Sequence, residues 1–259
     1  MRIACAAALA GALLALSADA QRPSTPATGR DALQAMHDAY AGKWYTTLTF
    51  VQKTTRRTDD GRDTVATWYE SLRYTPEKGA QLRIDIGSPK AGNGVLYTAD
   101  SLWAFKDGKL AVTRAGGNSL IPLIASVYLQ PVDRTIAELA ATGVDFTRPV
   151  IAARWKDRDV WIIGALSAAD TASPQIWVNA GDKQTVRAMF KPVPTRPVMD
   201  ARLEGIVPLA GGMLATHCEF YVEGKLVQSE DYTEWKANAP LSSALFDPAT
   251  FSTAKHWAP

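Results

Sequence analysis

Between Trp44 and Thr113, apolar residues return at every second position in runs interrupted only by short polar turns. Successive side chains of an extended strand leave on opposite faces, so this period marks strands with one buried face. In the first run Leu48, Phe50 and Gln52 share one face, and Thr47, Thr49 and Val51 share the other. Residues 64–74 set Trp68, Leu72 and Tyr74 against Tyr69, Ser71 and Arg73, while Leu82, Ile84 and Ile86 alternate with Arg83 and Asp85. Residues 95–105 read as two short strands broken near Ala99-Asp100, and residues 110–113 return. The turns are Asp59-Asp60-Gly61, residues 76–79 and Asp107-Gly108, the last a strong hairpin signal. Connections this short cannot hold the crossover that a parallel pair requires. The expected product is an antiparallel meander of consecutive hairpins.

Strand patterns resume at residues 151–155, 160–166, 175–180, 185–190, 201–207, 214–222 and 226–232, with turns at residues 157–159 and at Glu223-Gly224. Residues 192–197 hold three prolines and are expected as a loop. Two places have the helical period instead. Asp31 reads as the N-cap of a helix carrying Leu33, Met36 and Tyr40, ended by Gly42. Residues 119–129 read as a short helix with an apolar stripe of Leu120, Leu123, Ile124, Val127 and Tyr128, and Pro122 suits its first turn. Asp133 is expected to cap a further helix that turns Ile136 and Leu139 inward and stops at Gly143. The tail from Asn238 reads as irregular. A sheet of about ten or eleven twisted strands curls or closes. The expected class is therefore mainly β (α+β): a half-open antiparallel β-barrel with an N-terminal helix and a helical insert plugging its mouth.

The N-terminus reads as an export signal. Arg2 precedes an uncharged apolar run over residues 3–16, and Ala18-Asp19-Ala20 offers small residues for cleavage after Ala20. The run is shorter than the roughly 20 residues a bilayer crossing takes. Cys5 lies too early for a lipid anchor at the cleavage site. Residues 1–20 are thus expected to be removed, 21–30 to be a flexible lead-in, and 31–259 to form a single domain. Cys218 then stands alone, so no internal disulfide is expected and packing must supply stability. The eight tryptophans and eight tyrosines suit that task. A net charge of +2 gives no electrostatic ground for a nucleic-acid partner.

Leu48-Thr49-Phe50-Val51-Gln52-Lys53, on a strand that follows a short helix, resembles the first-strand signature of the LolA-like superfamily of periplasmic lipoprotein carriers. Leu102-Trp103-Ala104-Phe105 is similar to that family's aromatic strand after an Asp-containing turn. Residues 119–129 stand where the family has its lid helix, and Ile176-Trp177-Val178-Asn179 followed by Val186-Arg187 resembles its later strand pair. The resemblance spans nearly the whole mature chain through short motifs. It implies a periplasmic protein with a half-open barrel around an apolar cavity. Such proteins are not enzymes, and they carry or sense lipids or acylated proteins, with a membrane-bound complex to load or receive them. The implied cavity lining is Leu48, Phe50, Trp68, Leu72, Leu82, Ile84, Trp103 and Phe105, and the implied lid is Leu120, Leu123, Ile124, Val127 and Tyr128. One position departs: Thr75, before Pro76, stands where the lipoprotein carrier has an arginine tied to lipoprotein release.

Read from the residues alone, the same apolar sets fit an ordinary filled core. A filled-core version of the fold would bind a protein partner through its convex face or its tail, with Phe251 and Trp257 exposed. A hydrolase would need a cluster that the sequence does not display. His217 and Cys218 are neighbours on a strand and point to opposite faces. His37, His217 and His256 share no metal-ligand spacing. No phosphate loop occurs, since Gly92-Asn93-Gly94 precedes a strand. No catalytic residue, metal or cofactor is expected. Lys53, Arg56, Arg57 and Arg62 read as a solvated basic rim. Glu70, between Trp68 and Leu72 on a buried face, is expected to pair with an arginine across the sheet.

Overall fold

A computed structural model of the protein describes residues 24–58, 60–191 and 196–259. The export signal with its cleavage after Ala20, Asp59 of the first turn and most of the proline-rich loop lie outside the described residues. Helix α1 (Gly29–Tyr40) leads into β1 (Thr47–Arg57), β2 (Asp63–Thr75), β3 (Gly79–Ile86), β4 (Gly94–Tyr97), β5 (Ser101–Lys106) and β6 (Lys109–Ala115). A helical insert follows, with α2 (Ile121–Ile124) and α3 (Val132–Leu139). The chain returns through β7 (Ile151–Trp155), β8 (Arg158–Ile163), β9 (Gln175–Asn179), β10 (Thr185–Phe190) and β11 (Met199–Glu204). The last strands are β12 (Val207–Leu209), β13 (Gly212–Leu214), β14 (His217–Val222) and β15 (Lys225–Ala237).

Among the described residues thirteen strands form one sheet in the order β6-β5-β4-β3-β2-β1-β15-β14-β11-β10-β9-β8-β7, and β12 and β13 form a separate hairpin. Every pairing is antiparallel. The outer strands β6 and β7 do not pair with each other, so the sheet stays open. The hairpin arises because the strands expected at 201–207 and 214–222 are each broken. Gly205 bends the first at φ 61°, where an added Cβ would lie 2.2 Å from Thr216 Oγ1.

The first meander walks from β1 out to one edge, and the second walks from the opposite edge back to β15 beside β1. The connection between the edges, residues 116–150, must cross the sheet. It does so with its apolar side inward: Ile121, Leu123, Val127, Tyr128, Val132 and Leu139 join Leu48, Leu72, Leu82, Ile163 and Val178 in one core. The helix expected over 119–129 is broken at Ala125 (φ −139°, ψ −62°) into α2 and a 3-10 turn at Ser126–Tyr128. The break lets Tyr128 stack on Trp44, with ring centroids 3.8 Å apart, and donate its hydroxyl to the Lys183 carbonyl. Helix α1 is capped by Thr28, not Asp31. The Thr28 hydroxyl accepts from the Asp31 amide, and the Asp31 carboxylate accepts from the Thr28 amide, a capping box. The helix therefore begins inside the segment expected as a lead-in. Asp133 sits in the first turn of α3, whose N-cap is Pro131, and pairs with Arg30.

The tail is folded. Its 3-10 turns Ser243–Phe246 and Pro248–Thr250 bring Leu245, Phe246 and Phe251 against Leu96 and Phe105 on the outer face of the sheet. Phe251 stacks on Phe105 with centroids 4.0 Å apart, and Trp257 Nε1 donates to Ser71 Oγ. Beneath them Arg83 grips Asp85 through two 2.7 Å hydrogen bonds and donates to the Phe251 carbonyl at 2.8 Å. Phe251 is thus buried, and the convex face near it is already covered. Phe251→Ala would strip that cover from Phe105 and from the buried ion pair. A loss of about 3–5 kcal/mol in urea unfolding is expected, and a loss below about 1 kcal/mol would show that the tail adds little.

Candidate binding cavity

The inner face of β1, β2 and β3 and the insert enclose a cavity of about 320 Å³. Strand alternation sets its first wall. Leu48 and Phe50, Trp68 and Leu72, and Leu82 and Ile84 all border it. Cross-strand register keeps them on one face: Leu48 faces Leu72, which faces Leu82. Leu120, Leu123 and Ile124 cover the cavity from the insert. Ile124 is 36% exposed and forms part of the rim.

Trp103 and Phe105 do not border the cavity. Leu82 pairs with Tyr97 and Tyr97 with Leu102, so Leu102 and Ala104 share the inner parity. Trp103 and Phe105 face outward and pack under the tail. A one-residue step in parity reverses a strand's faces, and aromatic content alone does not say which face is which. Val127 and Tyr128 likewise do not border the cavity. They are fully buried on the side of α1, where His37 Nδ1 lies 3.1 Å from the Val127 carbonyl. The opposite wall comes from the second meander, through Leu203, Met213, Leu214, Cys218, Phe220 and Tyr232. None of these was singled out from the sequence as lining, although Cys218 and Phe220 alternate with His217 and Glu219 in the pattern that marked the first wall.

The wall is not wholly apolar. Gln52, Glu70, Gln228, Glu230 and Tyr232 also reach the cavity. Glu70 is 5% exposed, and its neighbours across the sheet are Phe50 and Ile84, not the expected arginine. It makes no ion pair or side-chain hydrogen bond among the described residues. Burial pushes its carboxyl well above its ordinary value, and the charge of Glu230 adds to the effect. Glu230 is 7% exposed and is also raised by burial. It keeps partners, however: Tyr232 donates its hydroxyl and Gln228 Nε2 donates at 2.5 Å. Burial likewise pushes the Cys218 thiol up, and Cys218 faces the cavity while His217 bonds Asp231 at 2.8 Å on the other face. No group of three or more His, Cys, Asp or Glu able to hold a metal occurs among the described residues.

Of the basic stretch, Arg57 and Arg62 are paired with Asp63 and Asp60. Arg56 instead lies over the Trp68 ring at 5.2 Å, donates to Gln228 Oε1 and borders the cavity. Thr75 closes β2, and its hydroxyl accepts from the Lys78 amide. Arg134 of α3 donates to the Pro76 carbonyl beside it and so ties this corner to the insert.

An open antiparallel half-barrel crossed by a helical insert is the LolA-like fold, and solved structures match it over most of the chain. A DUF1329 family protein from Desulfovibrio piger superposes with a TM-score of 0.60 at 13% identity, covering 86% of this chain and 97% of that one. A putative outer membrane lipoprotein-sorting protein domain from Vibrio parahaemolyticus gives 0.57 at 9% identity, covering 85% and 97%. A LolA superfamily protein from Nitrosomonas europaea gives 0.50 at 17% identity, again covering 85% and 97%. No protein-family model matches the sequence, and no curated protein matches it. Among the described residues no helix is long and apolar enough to cross a membrane.

Glu70 sets an expected pH dependence. The unfolded chain holds this proton only below about its ordinary value of 4.5, whereas the fold holds it to higher pH. The fold thus binds more protons than the unfolded chain above that value, and this contribution to stability is lost as pH rises through the raised pKa. Glu70→Gln removes the dependence. In thermal melts its advantage over the parent is expected to grow steadily between pH 5 and pH 8. A constant difference would mean that Glu70 ionises normally.

Proposed function

We propose that the protein is an exported, periplasmic carrier or sensor that buries the apolar part of a lipid or an acylated protein in its cavity. The observation that carries this reading is the cavity itself, walled by six large apolar side chains of β1–β3 and covered by α2. Its volume lies within the range of about 300–1,000 Å³ common to small-molecule sites. Burial of each methylene contributes about 0.8 kcal/mol, so an acyl chain needs few polar contacts to bind. The fold shared with a putative lipoprotein-sorting domain supports the same class of ligand. Of the gate expected over residues 120–129, residues 120–124 are the moving part, while Val127 and Tyr128 anchor it against α1. Leu120, Leu123 and Ile124 hold the apolar side of the cover, and the break at Ala125 gives α2 a point at which to swing. A membrane-bound complex would load or receive the cargo.

Native mass spectrometry of protein taken from periplasm, with lipid extraction of the same sample, tests the reading. A co-purifying lipid or acylated peptide is expected, and bare apoprotein from fresh, detergent-free preparations counts against it. Ile124→Glu places a charge on the rim without filling the core. It is expected to lower the bound lipid about tenfold, roughly 1.4 kcal/mol of affinity. Unchanged lipid content would remove α2 from the gating role.

A further inference from the structure

A cavity for plain hydrocarbon has no use for an acid in its wall. Glu70 occupies the middle of the apolar row Trp68–Leu72, is 5% exposed and opens into the cavity. Leaving a buried polar group without a partner costs the fold. The groups around it show what is missing. From β15, Tyr232 and Gln228 already donate to Glu230. From β1, Gln52 Nε2 donates to Thr54 Oγ1 at 2.8 Å, and Arg56 is held by Gln228 and Trp68. From β4 and β14, the Tyr97 hydroxyl and the Cys218 thiol border the cavity but do not bond Glu70. The α2 cover presents only apolar side chains there. Two acids thus face one largely apolar space; the cation on its border, Arg56, acts on Glu230, and Glu70 makes no hydrogen bond or ion pair among the described residues, while the buried Trp68 Nε1 two residues away is also unpartnered.

We propose that Glu70, seconded by Glu230, is the docking point for a basic nitrogen on an otherwise apolar ligand, so that the cavity prefers long-chain amines and amino-lipids to fatty acids. The proposal rests on the reading of this cavity as a ligand site. An ammonium group brings a positive charge and several N–H donors, so it satisfies Glu70 and still has donors for Glu230. When the ammonium form enters, Glu70 gives its proton to solvent and the ion pair forms in a water-poor site. A fatty acid would bring a third acid beside the pair and find only the single O–H of protonated Glu70 as a donor.

Calorimetric titration of the delipidated full chain at pH 7 with decylamine, decanol and sodium decanoate, each below its micellar concentration, separates the possibilities. Decylamine is expected to bind at least about tenfold tighter than decanol, with decanoate weakest. Glu70→Gln, nearly isosteric and unable to ionise, is expected to abolish the preference for decylamine over decanol. An unaltered melting curve at pH 5 verifies that the variant folds. Equal binding of decylamine and decanol, or an amine preference that survives Glu70→Gln, overturns the head-group assignment while leaving the apolar cavity in place. Failure of all three chains to bind overturns both.

Discussion

Strand β1 is the one strand on which both halves of the sheet depend. Its eleven residues pair with β2 on one side and with β15 on the other. The first meander grows outward from β2 and the second returns inward to β15, so without the β1–β15 pairing there would be two separate sheets. That pairing joins residues far apart in the chain, Leu48 with Ala237 and Arg56 with Gln228. Contacts of such separation pay their loop-closure entropy before they return any energy. The inner face of β1 is the natural centre of the cavity for the same reason, because β1 and its partner β15 stand where the two meanders meet. Glu70 lies across from Phe50, and Glu230 lies across from Thr54. The two acids thus come from the two meanders and meet only because β1 joins them.

The same topology makes the cover obligatory. The first meander ends at β6 and the second begins at β7, the two opposite edges of the sheet. Any connection must cross one face, and the face it crosses becomes the inner one. The tail then occupies the other face, over Arg83 and Asp85. Both faces of β3 are therefore buried although its sequence alternates, with Arg83 1% and Asp85 0% exposed. A buried ion pair is a poor source of net stability but costly to break, which gives the tail a strict seat rather than a strong one.

What the sequence made legible was local. Alternation assigned the faces of β1, β2 and β3 correctly, and Leu48, Phe50, Trp68, Leu72, Leu82 and Ile84 border one cavity as a result. The dipeptides Asp107-Gly108 and Glu223-Gly224 turn as expected, both with φ positive at each residue. Most of the errors concern how one segment meets another. Trp103 and Phe105 have the outer parity because β4 registers Leu102 with Tyr97, and that register is invisible within β5 itself. Alternation showed that Glu70 is buried, yet its companion Glu230 lies 160 positions on, beyond the reach of any spacing rule. Tyr128 continues a helical stripe on paper, but the backbone breaks at Ala125 and places its ring on Trp44. The tail looked irregular because its 3-10 turns are three and four residues long, too short to show a period.

An acid in an apolar wall has a definite energetic consequence for any ligand the cavity would take. A leucine at position 70 would bury apolar surface where Glu70 now holds a carboxyl with no protein partner, a difference on the order of 1–3 kcal/mol against the empty protein if no water serves it. An acyl chain of ten methylenes gains about 8 kcal/mol on burial, so the penalty does not prevent a chain from binding. What the carboxyl changes is the comparison between ligands. Hydrocarbon burial is nearly the same for an amine, an alcohol and an acid of equal length, and such a term cannot tell them apart. A buried polar group left unpaired by the wrong head and paired by the right one can, because the cost of leaving it unmade is larger than the gain of an average hydrogen bond. If the cavity takes such a chain, its apolar walls would set how tightly the chain is held, and the two acids from opposite halves of the sheet would set which chain is held best.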